Sequence, residues 1–154
     1  MSYEDVVDKC ESILNTITGI GQVYVTEPRA ETIADAVQKL TSTGSKGDPI
    51  KCWFVGHGAF TEQWKTSSHS FAEESVSITG IHSRSGDTSE ETQRALIESI
   101  RTAFRTAIRA DATLGGIVHR CGFLQGGAQS PVEFFQILCF RVELTLPWTR
   151  QLSA

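Results

Sequence analysis

One segment restricts the fold of this chain more than any other: from Val132 to Leu146 the side chains alternate almost without a break. The even positions are Val132, Phe134, Gln136, Leu138, Phe140, Val142, Leu144 and Leu146, and the odd ones are Glu133, Phe135, Ile137, Cys139, Arg141, Glu143 and Thr145. Period two is the pattern of a β-strand with one packed and one wet face. Fully extended, the run would reach ~50 Å at ~3.3 Å per residue, whereas most strands stop by ~10 residues. It is expected to bend sharply, or to project beyond its sheet and meet something else.

The other elements follow from periodicity and punctuation. Val6, Cys10, Ile13 and Ile17, with Val7 and Leu14, form an apolar stripe three and four apart and predict a helix over 3–18. Glu4 and Asp5 suit the positive end of its dipole, and Gly19 and Gly21 end it. Residues 22–25 read as a short strand. Pro28 opens a second helix through Leu40, and a turn-rich loop covers 41–49. Residues 50–55 read as a central strand covered on both faces, because both alternating sets hold apolar residues.

Residues 56–70 are a long loop or an extended hairpin arm, followed by a strand over 75–80 and a polar loop over 82–91. Leu96, Ile100, Phe104 and Ile108 recur every four residues and predict the longest helix, over 90–110. Leu114-Gly115-Gly116 breaks that helix, and 117–124 reads as a strand that pairs antiparallel with 132–146. The expected fold is α+β: a mostly antiparallel sheet of four to five strands, with two to three helices on one face and long exposed loops. No internal repeat or linker divides residues 1–154, so one domain is expected.

The search for chemistry finds little. His57, His69, His82 and His119 fall in no HExxH or i, i+4 pair. Cys10, Cys52, Cys121 and Cys139 are widely spaced among apolar neighbours, which suits buried thiols in a reducing compartment better than a zinc site. His119 and Cys121 share a strand face and offer a conceivable nucleophilic pair, though a core cysteine beside a half-buried histidine is the simpler reading. The glycine pairs lack the Lys-Ser/Thr of a phosphate loop, and no Gly-x-Ser-x-Gly elbow occurs. No catalytic residue, metal ligand or cofactor site is therefore expected, and the chain is not expected to be an enzyme.

Surface features point to contacts with other proteins. Arg94, Arg101, Arg105 and Arg109 stack along the long helix, opposite its apolar stripe, with Glu91 and Glu98 between them. They make either a solvated face of ion pairs or a charged surface for a neighbouring subunit. Phe60 and Trp64 in a polar segment, and Trp148 after Pro147, are candidate interface anchors, with core packing the alternative for each. Arg84 and Asp87, in the second polar loop, complete the candidate interface. Formal charge is −4, from 14 Lys+Arg against 18 Asp+Glu, which argues mildly against a nucleic-acid binder. No apolar run approaches the ~20 residues of a membrane helix, and the opening residues have no secretory pattern, so a cytosolic origin is expected.

The order of these pieces resembles the tail terminator (tail completion) proteins of long-tailed bacteriophages. The resemblance is carried by the opening helix ending in Ile17-Thr-Gly-Ile-Gly-Gln-Val-Tyr24, the Trp53 strand after a polar loop, and the Ser75–Gly80 strand. The helix segment 95–104 and a closing strand ending Val142-Glu-Leu-Thr-Leu146 complete it. It spans nearly the whole chain as a match of element order and texture, while loops 56–70 and 82–91 match no pattern. It implies a structural subunit of a homo-oligomeric, hexameric ring that caps the tail tube, stops its elongation and joins tail to head. The implied partners are further copies of the chain, the tail tube protein and the head connector, in a virion tail assembled in the host cytoplasm. No membrane is involved, and nucleic acid enters only by passing through the lumen. A head-side neck protein is the near alternative. A small-ligand protein using His57, His119 and Cys121, or a nucleic-acid contact through the arginine helix, are the others.

Overall fold

The computed structural model describes residues 3–25, 38–41, 50–57, 61–64, 70–83, 90–126, 129–134 and 137–152. In chain order its elements are α1 (Tyr3–Asn15), β1 (Gln22–Tyr24), β2 (Lys51–His57), β3 (Thr61–Trp64), β4 (Ser70–Ser83) and α2 (Glu90–Ala110). β5 (Arg120–Cys121), β6 (Gln125–Gly126), β7 (Ser130–Phe134) and β8 (Ile137–Leu152) follow. The sheet runs β1-β2-β4-β8-β5, with β3 alongside β4, and β6 and β7 alongside β8. Among the described residues only the β1–β2 pair is parallel, so the fold is α+β with a mostly antiparallel sheet.

The centre of the molecule is the β4–β8 pair, in register from Ser70↔Leu152 to Ser83↔Cys139. The predicted strand over 75–80 is thus only the middle of β4. Its ends carry Glu73, Glu74 and several serines, which propensity reads as loop, but neighbours on both sides satisfy the backbone there. The hairpin-arm reading of 56–70 describes the arrangement: β3 lies antiparallel against the start of β4.

The long alternating run is two strands rather than one. β7 folds back on β8 with Phe134 opposite Ile137 and Val132 opposite Cys139. A two-residue connection preserves parity, so alternation alone cannot reveal it. Beyond the turn the even phase holds: Phe140, Val142, Leu144, Leu146 and Trp148 are all buried, while Glu143 is exposed. Pro147 does not end β8, contrary to the expected stop at Leu146. Its carbonyl accepts from Gly122 N–H and that of Thr149 from His119 N–H, so odd residues of β8 direct their backbone away from β4. The missing proline N–H therefore faces residues 122–124, which leave the ladder between β5 and β6.

The predicted strand 117–124 is mostly a turn. Leu114, Gly115 and Gly116 all have positive φ (50°, 72° and 88°), a backbone that glycine adopts freely and leucine does not. Leu114 is fully buried, and its burial offsets that cost. Only Arg120–Cys121 and Gln125–Gly126 pair with β8, antiparallel as expected.

α1 and α2 pack on one face of the sheet. Val6, Val7, Cys10 and Leu14 of α1 join Ile97, Ile100, Phe104 and Ile108 of α2 over Trp53, Val55, Val76, Ile78 and the even phase of β8. Full burial of each large aliphatic or aromatic side chain contributes about 1.5–3 kcal/mol. α1 is shorter than predicted: Thr16 and Ile17 donate to Ile13 and Leu14 in tight final turns. On the opposite face Leu40 and Ile50 cover Cys52, Phe54, Ile81 and Cys139. Of the predicted second helix only 38–40 lie within the described residues, and they are helical.

Candidate interaction surface

The end of α2, the turn after it and β5 leave a cleft of about 340 Å³. Ile108, Ala112 and Cys121 give it an apolar floor, Arg109 and Arg120 its charge, and Phe123 one wall. Among the described residues Phe123 is 79% exposed and Val25 the next large apolar residue at 37%. An aromatic held in water beside an apolar cleft is an unused contact surface.

Of the arginines predicted on the long helix, Arg109 lines this cleft. With ~100° per residue, Arg101, Arg105 and Arg109 flank the stripe Ile97–Ile100–Phe104–Ile108 rather than lying opposite it. Arg101 is accordingly half-buried and pairs with Glu98, and Arg109 lines the cleft with Ile108. Arg105, Arg109 and Arg120 are exposed and make no ion pair among the described residues. Arg94 instead stacks over the Phe140 ring, 5.2 Å from its centroid. The other flank of α2 presents Ser99, Ala103 and Ala107 to a groove shared with residues 16–18.

Trp148 is not an exposed anchor. It is 2% exposed and closes the main core opposite Glu74, because Pro147 leaves the strand phase intact and Trp148 falls on its packed side. Its indole N–H, Glu74 Oε2 and Arg150 Nε are buried without a hydrogen-bond partner among the described residues. Arg150 Nη2 reaches Glu74 Oε1 at 3.6 Å. Trp64 sits in β3 opposite Ser70. Phe60, Arg84 and Asp87 lie outside the described residues.

No nucleophilic centre forms around the cysteines. All four are buried thiols outside any disulfide. Burial pushes the Cys10 thiol up to about 12, with the nearby Cys121 adding to it. Burial, followed by the charge of Asp111, pushes Cys121 up to about 11, and burial alone takes Cys139 to about 11. Such thiols stay protonated at neutral pH and are poor nucleophiles. His119 is exposed and its backbone bonds to Thr149. His57 lies at the end of β2 opposite Val76, on the far side of β4 and β8 from Cys121. His82, by contrast, is fully buried and accepts a hydrogen bond from Trp53.

The cleft residues Arg120 and Phe123 escaped the sequence reading because 117–124 looked like a strand, where both would be ordinary. The available signal was an aromatic between Gly122 and Gly126-Gly127, a poor setting for a packed strand. Among the described residues no group of three or more His, Cys, Asp or Glu is placed to hold a metal ion, and no helix is long and apolar enough to cross a membrane. No protein-family model matches the chain, and no curated protein matches it significantly.

Proposed function

We propose that this chain is a ring-forming structural subunit of a virion, of the tail terminator kind, which caps a tail tube and joins it to the head. The observation that carries this reading is the reach of the central strands. β4 and β8 stay paired along the whole of β4, from Ser83↔Cys139 to Ser70↔Leu152. With β3 alongside β4 they make a three-stranded end of the sheet, and a strand end of that kind suits contact with another subunit. The α+β element order supports the same reading, as does a surface of exposed charge with the exposed Phe123. No catalytic step belongs to it. A head-side neck protein would share these features, so the position in the virion rests on the resemblance.

Light scattering combined with negative-stain imaging of the concentrated protein tests the reading. A closed ring, six-membered for a tail terminator, is the expected result. A monomer at every concentration and salt, or a compact two-fold dimer, overturns it.

A further inference from the structure

We propose that successive copies of this chain join head to tail, the acidic face of α1 in one copy docking on the basic flank of α2 and the Phe123 cleft of the next. This rests on the self-assembling reading above and names its interface.

The two surfaces belong to opposite edges of one sheet. In the order β1-β2-β4-β8-β5, α1 packs on β1 and β2 at one end, and the cleft lies between α2 and β5 at the other. Their charges are opposite. Glu4, Asp8 and Glu11 follow one another at helical spacing on one side of α1, with Lys9 on the other flank. Glu4 and Asp8 are exposed and Glu11 half-buried, and no cation among the described residues pairs with them. Facing outward at the other edge are Arg105, Arg109 and Arg120, and nearby Asp111 has its carboxylate accepting from Thr113.

Symmetry follows from this arrangement. A two-fold contact through either surface sets like charge against like, which is disfavoured. Joining the unlike surfaces makes a heterologous contact, and such contacts generate rings when the rotation closes. Phe123 beside the cleft supplies the apolar anchor that charge alone lacks. A foreign acidic partner or a nucleic-acid backbone would engage the arginines alone and be indifferent to α1.

Three full-length variants test this: Arg105→Glu/Arg109→Glu, Glu4→Lys/Asp8→Lys/Glu11→Lys, and both sets in one chain. Each is checked for native circular dichroism and thermal unfolding, then compared with the parent chain by sedimentation at low and moderate salt. Either set alone should weaken self-association by on the order of tenfold or more. The combined chain should regain it, and the two singly reversed chains should co-assemble when mixed. Assemblies of the parent that ignore both reversals overturn this interface while leaving the ring reading intact. Loss from the arginine set alone, without rescue, also overturns it in favour of a foreign anionic partner. A parent chain that never associates removes both.

Discussion

The indole N–H of Trp53 donates to Nε2 of His82 at 2.9 Å, across neighbouring strands β2 and β4, and neither side chain meets solvent. The rings stand edge to face, 5.8 Å apart. Because an indole can only donate, His82 accepts at Nε2 and is a neutral imidazole protonated at Nδ1. Trp53→Phe removes the donor and leaves that acceptor orphaned, at about 1–3 kcal/mol, with the cost of the lost volume added. In urea unfolding, Trp53→Phe/His82→Leu should lose less stability than the two single changes summed. Strict additivity would show that the bond contributes nothing.

Gly80 lies opposite Trp53 in the β2–β4 register, and a Cβ there would sit 2.5 Å from the indole ring. Gly80→Ala should destabilise by about 1–3 kcal/mol through overpacking, lowering Tm by ~2–4 °C per kcal/mol. Gly56→Ala, where nothing lies within 4 Å, is the control and should stay within about 0.5 kcal/mol. Equal melting of the two variants would contradict the close contact.

The raised thiols make stability depend on alkaline pH with a fixed sign. From the ordinary 9.0, Cys10 is raised to about 12 and Cys121 and Cys139 to about 11. Above pH 9 the unfolded chain releases these protons while the folded chain keeps them, so stability is full below pH 9 and falls as pH rises toward 11–12. Chemical denaturation at a series of pH values checks this, and stability that rose between pH 9 and 11 would refute it. A thiol reagent at neutral pH should react with the native protein far more slowly than with the denatured chain, since all four thiols are buried.

Phe123→Ser should leave thermal unfolding unchanged, within about 0.5 kcal/mol, because the side chain is 79% exposed. Sedimentation should nonetheless show weaker self-association, by on the order of tenfold for an anchor residue. A fall in Tm of several degrees would place Phe123 in the fold rather than at an interface.

Elements with a long, uniform period were legible in the sequence. The stripe from Leu96 to Ile108 located α2 to its ends, and the even phase from Phe140 to Leu146 marked the packed side of β8. What escaped is what parity and propensity cannot encode. The fold-back at Phe134 and Ile137 preserves alternation, and residues 117–119, read as the start of a strand, belong to a turn. The charged half of the candidate surface was legible because arginines at helical spacing sit together wherever the helix lies. Its other half was not, because bringing Arg120 and Phe123 beside Arg109 depends on a left-handed turn at Leu114, Gly115 and Gly116.

The β4–β8 pairing also governs how the molecule reaches its fold. No local hairpin joins these strands: the whole of α2, β5, β6 and β7 lies between Ser83 and Cys139. Loop closure over that span must precede the first of their contacts, and non-local pairing of this kind slows folding toward milliseconds to seconds. Until β8 docks, both sides of that wait expose apolar strand: Val76 and Ile78 on β4, and the Phe140–Trp148 phase on β8. Newly made chains are therefore most prone to pair with one another before the central sheet closes, so a slower, cooler synthesis should favour recovery of the soluble fold over aggregates.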